Sequence, residues 1–142
     1  MTNLDELLEG SKRKLTKAIG HLEYSYQKIL KLSTDPKKLD DAGLETWESF
    51  SARFSRVVDI YLTKYVGSYV LKNDPGFQGS LRDFIDQGEK LGVVDGVTEW
   101  MGMRQLRNIS AHDYSEEELS QFFKDILKNA PRLLSLKQRL KI

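Results

Sequence analysis

Residues 44–71 read LETWESFSARFSRVVDIYLTKYVGSYVL, and this stretch decides the fold class. Its apolar members Leu44, Trp47, Phe50, Phe54, Val57, Val58, Tyr61, Leu62, Tyr65, Val66, Tyr69 and Val70 return every three or four positions, the period of a helix with one broad buried face. A helix over about Leu44 to Leu71 is therefore predicted as the core helix. Aromatics at helical spacing fill cores far more often than they stack on bases, so the run is read as packing. Arg53, Arg56, Asp59 and Lys64 are its polar positions, and Asp59 is kept as a candidate acid.

Working outward, Leu4, Leu7, Leu8, Leu15, Ile19, Leu22, Tyr26, Ile29 and Leu30 predict a first amphipathic helix from about Asn3 to Leu32. Gly10 and Gly20 weaken it, so its first turns are expected to form a separate or frayed piece. Ser33-Thr34-Asp35-Pro36 stops it, because proline lacks the N–H and restricts the residue before it. Downstream, Asn73-Asp74-Pro75-Gly76 marks a turn, and Ser80 with Asp83 resembles a capping box that opens a third helix over about Leu81 to Leu91. Gly92 and Asp95-Gly96 separate it from a fourth helix, about Val97 to His112. Ser115 with Glu118 forms a second capping box, opening a helix that Pro131 is expected to kink or end. Leu133, Leu134, Leu136 and Leu140 then make a last segment with a basic tail. No alternating pattern or long-period repeat interrupts this, so the expectation is an all-α bundle of four to five helices forming a single domain over residues 1–142, with two long antiparallel helices and shorter ones packed on them. The apolar faces are wide for a small bundle, and homodimerisation is a natural way to cover them.

Composition narrows the chemistry. With 22 Lys+Arg against 21 Asp+Glu the formal charge is +1, so any nucleic-acid contact must be local. The absence of cysteine rules out disulfides, thiolate metal sites and cysteine nucleophiles, and fits a reducing cytoplasm. Two histidines, His21 and His112, cannot build a histidine-rich metal centre. His21 has no acid/base partner nearby in sequence and is read as structural or solvated. Met1 to Glu9 is polar and acidic without the pattern of a signal peptide, and no apolar run approaches the roughly 20 residues of a membrane span. A cytoplasmic protein without membrane contact is expected.

Arg107-Asn108-Ile109-Ser110-Ala111-His112-Asp113-Tyr114 concentrates the reactive residue types. At about 100° per residue, Arg104, Arg107, Asn108, His112 and Gln105 share one polar sector, while Trp100, Met103 and Leu106 point to the packed side. The Ser115 cap places His112 and Tyr114 at the helix end. A histidine there can titrate near neutral pH, and an arginine on the preceding turns offers a planar fork of donors for a phosphate. Together they could cleave RNA without a metal: His112 takes the proton of a ribose 2′-hydroxyl, Arg107 stabilises charge on the scissile phosphate, and Asn108 positions either group. The same residues could instead be a capping and packing cluster, since an Arg-x4-His pair also arises by chance in helical proteins.

The octapeptide resembles the Arg-x4-His-x-Tyr motif of HepT-type HEPN proteins, also described as nucleotidyltransferase substrate-binding proteins, including the Asn that commonly follows the Arg. Its setting is similar too, at the end of a late helix and after an aromatic helix with Arg53-Phe54 and Asp59; the likeness covers about Leu4 to Leu127. It implies a dimeric helical bundle acting as a metal-independent endoribonuclease toxin that needs no cofactor. Its implied partner is an MntA-like nucleotidyltransferase antitoxin, which AMPylates the motif tyrosine. Arg107 and His112 are then catalytic, Tyr114 is the modification site, and Asn108, Arg104 and Asp59 support them. Relatives often carry a carboxylate just after the helix-two Phe, where this chain has Ser55, so Asp59 is the remaining acid. A non-catalytic substrate-binding or regulatory subunit of a nucleotidyltransferase is the alternative, and a purely structural helical dimer a third.

Overall fold

The computed structural model describes residues 3–107 and 114–142, with Arg107 described by its backbone alone. Helix α1 (Asn3–Ile29) leads through a 3-10 turn (Pro36–Lys38) to α2 (Asp41–Asp59), which continues through a π segment (Ile60–Tyr65) into α3 (Val66–Asn73) as one rod. Then come α4 (Leu81–Lys90), α5 (Val97–Arg107), α6 (Glu116–Leu134) and the short α7 (Leu136–Arg139). Among the described residues there is no strand, and no helix is long and apolar enough to cross a membrane. The molecule is an all-α helical bundle.

α1 and the α2–α3 rod run antiparallel, and contacts at three levels, in opposite order along the two stretches of chain, show it. The Trp47 indole donates to the Ser33 carbonyl at 3.0 Å, Arg53 donates to the His21 carbonyl at 3.0 Å and to Ser25 Oγ at 2.7 Å, and Lys72 pairs with Asp5 at 3.0 Å. The predicted stripe of the rod is the core: Trp47, Phe50, Phe54, Val57, Val58, Tyr61, Leu62, Tyr65, Val66 and Val70 are buried and cluster with Leu15, Leu22 and Ile29 of α1. Among the described residues, only Leu7, Tyr24 and Leu30 are large apolar side chains left exposed.

Three expectations are corrected. First, α1 is one helix from Asn3, with Gly10 and Gly20 inside it; Leu8, Leu15, Ile19 and Leu22 bury the same stripe on both sides of each glycine, and that packing outweighs about 1 kcal/mol of propensity per glycine. Second, α6 does not end at Pro131 but runs through it, and the break falls at Ser135. Pro131 is exposed, so its ring lies on the solvent side of the helix.

Third, the second long helix contains a π segment where a continuous α-helix was expected. Its apolar pairs Val57/Val58, Tyr61/Leu62 and Tyr65/Val66 repeat every four residues. An α-helix turns 400° in four residues, so such a stripe creeps about 40° per step. The wider π winding cancels that creep and keeps Tyr61, Leu62, Tyr65 and Val66 all facing inward. Tyr61 then reaches across the core: its ring lies 4.5 Å from that of Trp100, and its hydroxyl donates to the Val93 carbonyl just before α5.

Candidate functional site

Helix α5 begins after Gly96 and buries Trp100 and Met103 completely, with Leu106 half-buried against the core. Those three residues fix its rotation. Arg104 is half-buried on the other flank, with a buried Nε that has no hydrogen-bond partner among the described residues. Arg107 is the last described residue of the helix. Asn108, His112 and the side chain of Arg107 lie outside the described residues, so no geometry is assigned to the Arg-x4-His pair.

Tyr114 is described. Immediately after it, Ser115 caps α6: Ser115 Oγ accepts from the Glu118 N–H at 3.2 Å, and the Glu118 carboxylate accepts from the Ser115 N–H at 3.3 Å. This reciprocal pair satisfies two of the donors that a helix start leaves without partners, and it fixes the direction in which the chain enters α6. The direction sends the Tyr114 ring onto Phe122, 5.7 Å between centroids at 20°, while Phe123 stacks on Trp47 of α2 at 4.4 Å. Tyr114 is consequently half-buried, with one ring face against the core.

Beside it opens a cavity of about 180 Å³ lined by Leu106, Tyr114, Glu118, Gln121, Phe122 and Asp125. The floor is apolar and the rim is polar. Glu118, Gln121 and Asp125 were not singled out in the sequence as site residues; their positions three to four residues apart on one face of a capped helix carry that signal only once Phe122 is known to lie under Tyr114.

Asp59 sits at the junction of α2 and the π segment, half-buried, where its carbonyl accepts from Thr63 Oγ at 2.6 Å. It lies two residues before Tyr61, at the level of the first turns of α5. His21 is exposed at the surface of α1, and its carbonyl holds Arg53. Among the described residues, no three His, Asp or Glu side chains come together as a set able to hold a metal ion. No family model matches this chain, and neither a curated protein nor a solved structure matches it.

Proposed function

We propose that this chain is the ribonuclease toxin of a two-gene toxin/antitoxin pair, a HepT-like member of the HEPN proteins that acts in the cytoplasm as a homodimer. It cleaves RNA without a metal. His112 removes the proton of a ribose 2′-hydroxyl, the 2′-oxygen bonds to the adjacent phosphorus, and the bond to the 5′-oxygen breaks; a protonated imidazole supplies the proton that the leaving oxygen takes up. The guanidinium of Arg107 faces the charge that develops on the phosphate, with Asn108 positioning it and Arg104, one turn earlier on α5, adding a second cation. Asp59 is the acid available from the rod.

The partner is a small nucleotidyltransferase of the MntA type. It silences the toxin by AMPylation: the Tyr114 oxygen attacks the α-phosphorus of ATP and pyrophosphate leaves. Nucleotide on that phenol would bring phosphate charge and bulk to where RNA phosphate must bind.

The observation that supports this reading is where the two described flanks of the motif lie. Arg104 and the backbone of Arg107 belong to the last described turns of α5, and Tyr114 stands at the capped start of α6 with its ring beside an open cavity. The test has two arms. Expression of the wild type is expected to arrest growth while His112→Ala does not, and purified wild type is expected to cut RNA in EDTA. If both proteins are equally harmless and RNA stays intact, the ribonuclease reading fails and the non-catalytic nucleotidyltransferase subunit takes its place.

A further inference from the structure

A net charge near zero conceals a strong separation of charge along this chain. Residues 10–22 hold Lys12, Arg13, Lys14 and Lys17 without one acid, and residues 126–142 hold Lys128, Arg132, Lys137, Arg139 and Lys141, again without one. The carboxylates Glu116, Glu117, Glu118 and Asp125 sit instead on the first half of α6, around Tyr114.

The fold brings the two basic stretches together. Lys12, Arg13, Thr16 and Lys17 of α1 line an open groove of about 530 Å³ with Lys141 and Ile142 from the end of the chain. The one acidic side chain in the lining is Glu9, which is engaged by Lys12 at 3.0 Å. Arg132 and Arg139 point elsewhere, both to Asp95, at 3.9 and 3.6 Å. Arg13, Lys17 and Lys141 are exposed.

We propose that this groove binds the phosphodiester backbone of single-stranded RNA, as a contact remote from the motif. Tyr114 precedes the first turn of α6 and the groove lies past its last, so the helix alone separates them by about 28 Å at 1.5 Å per residue. Spaced cations with no uncompensated acidic side chain between them suit a polyanion, which they bind by displacing its counterions. A membrane surface would ask in addition for a large apolar side chain to insert, and none of the three exposed ones among the described residues, Leu7, Tyr24 and Leu30, lines the groove. The choice of RNA as the polyanion rests on the ribonuclease reading above; the acidic start of α6 then makes the basic end the side from which a long strand is held.

The test is fluorescence anisotropy with a labelled single-stranded RNA of about 20 nucleotides, using His112→Ala so that cleavage plays no part. Combining Arg13→Gln, Lys17→Gln and Lys141→Gln is expected to weaken binding at low salt by about tenfold or more and to flatten the salt slope by about 2, for three lost phosphate contacts. Lys38→Gln, Lys64→Gln and Lys90→Gln together change the net charge equally on other exposed surface and are expected to leave binding within about twofold. Arg13→Lys, Lys17→Arg and Lys141→Arg together should keep the affinity, which guards against a folding artefact. Equal losses in the two Gln triples, or no loss in the first, would overturn the proposal; so would capture by phosphatidylglycerol vesicles through these residues without RNA binding. Groove-dependent binding by a wild type that cannot cut RNA in EDTA supports the groove and removes the ribonuclease. Cleavage that the first Gln triple performs at unchanged KM does the reverse.

Discussion

The ring of Tyr114 lies over that of Phe122 at 5.7 Å and 20°, and the two residues are joined in sequence by the Ser115–Glu118 capping box. The cap and the stack therefore hold one another: the box fixes the entry to α6, and the entry sets the ring on its partner. Ser115→Ala removes the side-chain acceptor and is expected to cost about 1 kcal/mol, a fall in Tm of about 2–4 °C for a chain of this size. Ser115→Asp should recover most of it. Hydrogen exchange by mass spectrometry should rise in the segment from Tyr114 to Leu119 in the Ala variant alone. An unchanged exchange pattern would mean that the stack holds the entry without the cap.

Tyr61 gives the fold a pH dependence at the alkaline end. Burial between α5 and the rod pushes its phenol far above the ordinary value of 10.0, outweighing the nearby Arg139, and burial pushes Tyr65 up as well. A phenol whose folded pKa is raised contributes stability that is complete below the unfolded value and is lost as pH climbs from there toward the folded value. Urea unfolding is thus expected to show stability falling above about pH 10, with a shallower fall in Tyr61→Phe. At pH 7 the same variant should cost about 1–2 kcal/mol, because the Val93 carbonyl loses the hydroxyl it accepts from. Parallel alkaline limbs in the two proteins would remove Tyr61 from the effect.

How far the fold could be read from the residues depended on where the physics was local. The stripe from Trp47 to Val70 and the boxes at Ser80 and Ser115 are fixed by periodicity and short-range hydrogen bonds, and all are present. The π segment was not legible, since a four-residue spacing of Val57, Tyr61 and Tyr65 reads as ordinary helix until the opposing surface shows that all must point one way. The continuity of α6 through Pro131 depends likewise on which side of the helix faces water. At the site, Tyr114 was legible as a residue but its support was not: Phe122 looked like one more core position, and only the turn before α6 brings the rings together. Asn108 and His112 rest on the motif alone.

The connection into α5 rests on a backbone conformation that other residues adopt poorly. Gly96 has φ of 83°, and a Cβ there would collide with the Glu99 carboxylate and with the Arg132 guanidinium, which reaches the Asp95 carbonyl. Gly92 has φ of 85° with open space around it. Both Ala variants are strained, but only one also has to displace its neighbours. Gly92→Ala is expected to cost about 1 kcal/mol and Gly96→Ala about 2–3 kcal/mol, measured by urea unfolding. Equal costs would show that Glu99 and Arg132 give way freely.

Arg107 and His112 have separate tasks under the proposed mechanism, and a charge-conserving change can tell them apart. Arg107→Lys keeps the positive charge at the end of α5 but replaces a planar fork of five donors by a point charge, which fits a developing phosphorane charge less well. Lysine keeps the long aliphatic stem, the charge and a comparable helix propensity, so folding should be retained. Cleavage of a defined RNA in EDTA is expected to fall by about a hundredfold, with Tm within about 2 °C of the wild type. The loss should lie in kcat, with KM little changed, because the guanidinium acts on charge that appears only in the transition state. A variant that cuts as fast as the wild type would take Arg107 out of the mechanism, and a loss confined to KM would make it a residue that binds substrate and leave the charge stabilisation to Arg104.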